Sequence, residues 1–86
     1  MLILLQMSQE DKLGIMKKLA KQLGNSLKRI RIQKNMTQGD IVRATGLDRG
    51  YVSSLESGKR NPTLANIERI AKALGVPAKE LLNDAD

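Results

Sequence analysis

The chain has 86 residues, with 15 lysines and arginines against 9 aspartates and glutamates, which gives a formal net charge of +6 and a pI near 10.0. This length allows one small domain, and the basic balance favours polyanionic partners such as duplex DNA, RNA or an anionic membrane surface. Histidine and cysteine are absent, which excludes zinc fingers, iron–sulfur clusters, thiol nucleophiles, imidazole bases and disulfide scaffolds.

Hydropathy predicts neither a membrane span nor a secretion signal. The longest uninterrupted apolar run, Met1 to Leu5, is shorter than the about 20 residues of a span or the about 7–15 of a signal peptide. We therefore expect a soluble, cytoplasmic protein with no cofactor and no metal. The single aromatic residue, Tyr51, argues against single-strand binders that stack bases on aromatic rings. Met7 is an alternative start, in which case residues 1–6 are incidental.

Residues 1–22 are predicted to form an N-terminal helical extension. Ser8 and Asp11 have the spacing of a helix N-cap, in which a hydroxyl accepts an orphan amide three residues on. Gly24 marks either a break or a soft point in one long helix, and the sequence leaves both open. The apolar residues of this region cluster on one side of a helix: Leu13, Ile15, Met16, Leu19, Ala20 and Leu23.

A first domain helix continues to about Lys34, where Asn35 offers a left-handed stop. Thr37 and Asp40 again have capping spacing and begin a short second helix, which ends at Thr45. Gly46 tolerates a positive φ and therefore allows a sharp turn.

Asp48 is the predicted N-cap of a third helix that runs from about Arg49 to Glu56 and turns Val52 and Leu55 inward. A basic loop follows, and then Thr63 caps a fourth helix. The inward stripe predicted for that helix comprises Leu64, Ile67, Ile70, Ala71 and Leu74. A fifth helix is predicted from Pro77 to about Leu82, and residues 83–86 are predicted to be a disordered acidic tail.

The two short helices around Gly46 have helix–turn–helix length and punctuation. With their flanking helices, residues 23–82 resemble the phage-repressor-like DNA-binding family, which includes the lambda and 434 repressors and Cro. The segments that carry the resemblance are 27–31, 36–38, 46–47, 52–62 and 67–76. The resemblance implies an all-α fold, a compact five-helix helix–turn–helix domain over 23–82 preceded by the extra N-terminal helix.

The resemblance also implies which side chains contact DNA. The expected base-reading positions, at the start of the third helix and one turn later, are Asp48, Arg49, Gly50, Ser53 and Ser54. Arg49 leads them, because a guanidinium can donate two hydrogen bonds to guanine O6 and N7; a phosphate contact is the alternative for this residue. The expected phosphate-binding residues are Gln38, Arg43, Tyr51, Ser57, Lys59, Arg60 and Asn61, and Tyr51 has a half-buried packing role as its alternative.

The same family pairs a glutamate at the position of Glu56 with an arginine at the position of Arg31. The resemblance therefore implies a structural ion pair here, against the alternative of two ordinary exposed charges. Two positions depart from the family pattern. Gly50 carries no side chain with which to read a base, and Val42 replaces the usual alanine where two helices approach.

One helix–turn–helix unit covers few base pairs, so we expect a homodimer on two half-sites about 34 Å apart. The candidate interface residues are Leu2, Leu4, Leu5, Leu13, Met16, Val76, Leu81 and Leu82. The alternative for the N-terminal residues is packing on the first helix of their own subunit.

These observations predict a sequence-specific transcriptional regulator that acts on a pseudo-palindromic operator in double-stranded DNA. Its size resembles that of restriction–modification controllers and small phage-type repressors. A protein-interaction module of the same fold without specific DNA reading, or an antitoxin-type partner, is the alternative. We expect no enzyme, because the sequence contains no acid–base pair, metal cluster or phosphate loop.

Overall fold

The computed structural model describes residues 6–82. Four α-helices lie wholly within this range: α1 (Gln9–Gln33), α2 (Gln38–Thr45), α3 (Arg49–Glu56) and α4 (Leu64–Leu74). A short 3-10 helix (Ala78–Leu81) follows them, and the described residues contain no strand. The expected all-α fold is therefore confirmed.

The predicted fifth helix is a 3-10 helix, so the expected count of five helices is not confirmed: four α-helices and one 3-10 turn lie wholly within residues 6–82. Only a short stretch lies between Pro77, which is extended at ψ 148°, and the end of the helical geometry at Leu82. So short a segment closes one tight turn rather than an α-helix. That turn places the side chain of Leu81 in the core, where it is 1% exposed.

Helix α1 is one continuous helix of 25 residues, so the predicted extension and the first domain helix are a single element. Ser8 caps it as expected, its hydroxyl accepting the amide of Asp11 at 3.1 Å. Gly24 is buried inside α1 and does not break it. The proposed boundary between 22 and 23 falls within this helix and stays a prediction, and the predicted tail at 83–86 lies outside the described residues.

The remaining helix ends follow the local sequence signals. Thr37 and Asp40 form a reciprocal capping box at the start of α2, and Thr63 accepts the amide of Asn66 at the start of α4. Gly46 ends α2 in the left-handed conformation at φ 74°. Asn35 is also left-handed, at φ 56°, in the turn that follows α1.

The core lies between the inner half of α1 and the other helices. Its buried members are Ala20, Leu23, Leu27, Ile30, Ile41, Val52, Leu55, Ile67, Ile70, Ala71, Leu74 and Leu81. Leu64, which was expected on the inward stripe of α4, is 79% exposed because it begins the helix on the solvent side. Val42 is half-buried and packs against the core, so α2 accommodates its two extra methyl groups.

Helix α3 packs on the rest of the domain through its inner face. It packs against α1 and α2, and α4 packs against α2 and the 3-10 helix. The opposite side of α3 therefore faces solvent. None of the helices described between residues 6 and 82 combines the length and apolar character needed to cross a membrane.

Candidate nucleic-acid interface

Helices α2 and α3 form a helix–turn–helix unit. The turn between them runs from Gly46 to Asp48, and the carboxylate of Asp48 accepts the amide of Tyr51 at 3.2 Å to start α3. Val52 and Leu55 are 0% and 1% exposed, respectively, and fix the inner face of α3 on the core. The outer face is thereby presented on a rigid support, which is what a helix needs to enter a groove.

The outer face of α3 carries the expected base-reading residues. Arg49, Gly50 and Ser53 are exposed, whereas Ser54 is half-buried. Asp48 is exposed too, and one of its carboxylate oxygens is already occupied as the helix cap. The five residues therefore lie together at one end and one side of α3, with Arg49 as their cation.

The side chain of Arg49 extends from α3 back to α2. Its Nη2 lies 2.9 Å from the point where a Cβ on Gly39 would be, and Nη1 of Arg43 lies 3.3 Å from the same point. Arg43 also pairs with Asp40. Two guanidinium groups therefore converge at the first turn of α2, where the helix dipole also favours an anion.

Beneath the unit, Arg31 and Glu56 form a bidentate ion pair. Nε and Nη2 of Arg31 donate to Oε2 and Oε1 of Glu56 at 2.6 and 2.9 Å. The side chains are only 12% and 4% exposed, and the hydrogen bonds to Glu56 raise the pKa of Arg31. Nη1 of Arg31 also donates to the carbonyl of Met36 at 2.8 Å. One guanidinium thus joins α1, the segment before α2 and the end of α3.

Gln38, expected to bind phosphate, begins α2 and is half-buried. Its Nε2 donates to Oε1 of Glu56 at 3.1 Å. The sequence did not indicate this contact, because the three partners come from separate segments of the chain. Gln38 is therefore held at the first turn of α2 by the same carboxylate that binds Arg31.

The loop after α3 carries further expected phosphate ligands. Ser57, Lys59, Arg60 and Asn61 are all exposed, and the hydroxyl of Ser57 donates to the carbonyl of Ser54 at 3.1 Å. The guanidinium of Arg60 lies over the ring of Tyr51, 5.4 Å from its centre. These cations therefore flank the exposed face of α3.

Tyr51 has a packing role. Its ring is half-buried against the core, and its hydroxyl accepts a hydrogen bond from Nδ2 of Asn66 at 3.0 Å. With Gly50, Ser54 and Arg60 it lines an open groove of about 580 Å³ beside α3. The groove is open to solvent.

The dimer candidates are distributed unevenly. Leu13, Met16 and Leu82 are 52%, 48% and 62% exposed, Val76 is half-buried, and Leu81 belongs to the core of its own chain. Leu2, Leu4 and Leu5 lie outside the described residues. Leu81 and Leu82 line an apolar groove of about 230 Å³, together with Leu19, Ala20, Gln22, Leu23, Asn61, Pro62 and Ile67.

The part of the chain that the structure describes holds no group of three or more acidic side chains placed to bind a metal ion. Exposed cationic side chains instead lie on α2, on α3 and on the loop after α3, as Arg43, Arg49, Lys59 and Arg60. The arrangement can recognise an extended polyanion by hydrogen bonds and charge.

Known proteins share this fold and are similar to this chain in sequence. The helix-turn-helix family model matches residues 27–81. Control protein C.MunI from a Mycoplasma species is 42% identical over 64 residues, which cover 73% of this chain and 86% of that protein. The crystal structure of the restriction-modification controller C.AhdI from Aeromonas hydrophila superposes with a TM-score of 0.70 at 37% identity, covering 72% of this chain and 94% of that one.

The restriction-modification controller C.Esp1396I, crystallised as a tetramer with its natural 35-base-pair operator, superposes with a TM-score of 0.66 at 36% identity. The match covers 76% of this chain and 96% of that one.

Proposed function

The chain belongs to the helix-turn-helix family, and from that membership we propose that it is a sequence-specific regulator of transcription that binds double-stranded DNA. The observation that carries the proposal is the mounting of α3. Val52, Leu55 and Glu56 bury its inner side, while Arg49 and Ser53 remain outside. A helix fixed in this way can enter a major groove about 12 Å wide.

In the proposed complex, Arg49 reads a base edge at the start of α3. It leaves its position near Arg43 and donates two hydrogen bonds to a guanine, worth about 1–3 kcal/mol of discrimination. Ser53 and Ser54 contact neighbouring base edges, and Asp48 stands at the entrance of the helix. Gly50 provides space rather than a contact.

Phosphate groups hold the flanks of α3. On one side, Gln38 and Arg43 bind a phosphate at the first turn of α2, where the helix dipole adds to their attraction. On the other side, Lys59, Arg60 and Asn61, in the loop after α3, bind phosphates of the neighbouring DNA strand. Ser57 lies beside them. Tyr51 contributes by orienting Arg60 through its ring. These contacts set the register of the protein on DNA without specifying sequence.

We further propose that the active form is a homodimer on a pseudo-palindromic operator. The apolar groove between Leu19 and Leu82 is lined by α1, α4, the 3-10 helix and residues 61–62 of the loop after α3, and by no residue of α3. A second copy that packs on its α1 and 3-10 side would leave the exposed residues of both recognition helices free. The relationship to C.Esp1396I, which was crystallised as a tetramer on its operator, supports an oligomer. We place the protein in the cytoplasm, where a regulator meets its operator, and assign it no catalytic activity.

Selection of bound sites from random duplex DNA tests the proposal, followed by gel shifts of the selected duplex and a scrambled one at two salt concentrations. We expect one enriched two-fold-related sequence and binding that weakens steeply with salt. Binding that is equal for both duplexes would favour a protein-interaction module instead. Sedimentation of the free protein and of Leu82→Ser tests the dimer: the substitution should yield folded monomers.

A further inference from the structure

Helix α1 touches the loop that follows α3. The Cα atom of Lys21 lies 2.9 Å from the point where a Cβ on Gly58 would be, so the two backbones are in contact. Gly58 is followed directly by Lys59 and Arg60, two of the proposed phosphate ligands. The side chain of Lys21 therefore begins beside the cationic loop.

Two further lysines share this side of α1. Lys17 precedes Lys21 by four residues and Lys28 follows it by seven, spacings that return to the same face of an α-helix. All three are exposed. Gly24 lies on the same side, against the carbonyl groups at the end of α3. The face that carries the lysines is thus the one that borders α3.

No ion pair within residues 6–82 neutralises these three lysines. Glu10, one heptad before Lys17, bounds the row at its outer end. From Lys17 to Lys28 the row spans about 16 Å, at 1.5 Å per residue. A strand of B-DNA presents several phosphates over such a length.

We propose that Lys17, Lys21 and Lys28 form a basic strip that binds the phosphate backbone of duplex DNA next to the half-site read by α3. Lys17 and Lys21 precede residue 27, where the match to the family begins, so the strip extends the interface beyond the helix–turn–helix unit. It lengthens each half-site contact by the flanking backbone. The proposal rests on the proposed function, because α3 must first place this side of α1 against DNA.

The test uses the triple variant Lys17→Gln, Lys21→Gln, Lys28→Gln in the full chain. A matched control, Lys12→Gln, Lys72→Gln, Lys79→Gln, removes the same charge elsewhere: Lys12 lies on the other side of α1, and the other two lie on α4 and the 3-10 helix. Affinity for the selected duplex with long flanks is measured between about 50 and 200 mM salt, where counterion release is strong. Circular dichroism verifies that both variants are folded.

The slope of log K against log salt is negative, and we expect the strip variant to make it shallower by about 2–3. Each lost phosphate contact removes about 0.9 from its magnitude. Its affinity should fall about ten-fold or more, and trimming the flanks of the duplex should remove the difference from the unsubstituted chain. The control should keep the original slope. Equal losses in both variants, or no change in the strip variant, would overturn the strip alone. If the unsubstituted chain binds no duplex, the proposed function fails instead.

Discussion

A Cβ atom on Gly24 would lie only 2.2 Å from the carbonyl oxygen of Leu55, and 2.8 Å from that of Glu56. Helix α1 therefore rests directly on the last backbone groups of α3, and any side chain at Gly24 must push the two helices apart. A buried backbone cannot yield as the end of a flexible side chain can.

We accordingly expect Gly24→Ala to lower the free energy of unfolding by about 3 kcal/mol, the upper range of overpacking effects. Gly14→Ala, in the same helix, is the matched control, because a Cβ there meets nothing within 4 Å. It should raise stability by up to about 1 kcal/mol through helix propensity. Urea denaturation measures both, and similar effects at the two sites would contradict the close contact.

The buried ion pair predicts strong coupling between its partners. Glu56→Met leaves the guanidinium of Arg31 buried without its carboxylate and should cost about 3 kcal/mol. The double variant Arg31→Met, Glu56→Met should cost clearly less than the sum of the two single variants, because it leaves no buried charge. Urea denaturation of all four chains completes the cycle.

Arg43→Ala provides the exposed counterpart. The side chain of Arg43 is 70% exposed in the pair with Asp40, so its loss should cost less than about 1 kcal/mol. If the two pairs proved equally weak, the burial of Glu56 would have no energetic consequence.

Asp40 gives α2 a defined pH dependence. The backbone amide of Thr37 donates to its Oδ2 at 2.8 Å, and Arg43 pairs with Oδ1; both hold the pKa of Asp40 below its ordinary 3.8. A lowered pKa stabilises the folded state fully above that ordinary value and ceases to do so as the pH falls below it. We expect Asp40→Asn to flatten the loss of stability between neutral and strongly acidic solution. An undiminished loss, measured by urea denaturation at both ends, would remove Asp40 as its source.

Arg49 and Lys59 should respond differently to removal. Arg49→Ala should relax the preference for one base pair in each half-site, whereas Lys59→Ala should weaken binding to all sequences alike and reduce the salt slope by about 1. Gel shifts on a panel of single-base-pair operator variants separate these outcomes. A uniform loss with Arg49→Ala would instead assign this residue to a phosphate, together with Arg43 near Gly39.

The substitution Gly50→Ala should affect stability and DNA binding differently. A Cβ at this position meets only Oδ2 of Asp48, at 3.0 Å, and that atom is the one that accepts the amide of Tyr51 as the cap of α3. Gly50→Ala gains about 1 kcal/mol of helix propensity but displaces this cap, which is worth a similar amount, so its net effect on stability should be small. We expect it to weaken DNA binding all the same, because the added methyl group stands on the exposed face. Unchanged affinity in the folded variant would mean that the backbone does not approach the groove here.

Local signals predicted much of this molecule. Ser8, Thr37, Asp48 and Thr63 all cap the helices that follow them, because a cap depends on atoms only three residues apart. Periodicity likewise predicted the inner face of α3. Propensity failed at the C-terminal segment, where Leu81 enters the core from a 3-10 turn too short to be an α-helix.

Contacts between segments that are far apart in the chain could not be predicted from the sequence. The sequence leaves open whether Gly24 breaks or softens α1, whereas the structure places it where α1 approaches the backbone of α3 most closely among the glycines of α1. The sequence of α1 alone carries no information about how near another backbone lies. The bond from Gln38 to Glu56 was missed for the same reason. The pairing of Arg31 with Glu56 was expected only through a family resemblance, since two charges 25 residues apart carry no signal of their own.

Tyr51 is an intrinsic fluorescent probe of the recognition helix. It is the sole aromatic residue of the chain, it lies on α3, and the guanidinium of Arg60 covers its ring. Intrinsic ultraviolet emission from the protein therefore originates at one position, beside the surface proposed to meet nucleotides. A dye-free titration that follows this emission would report the environment of the recognition helix, with no second fluorophore to subtract.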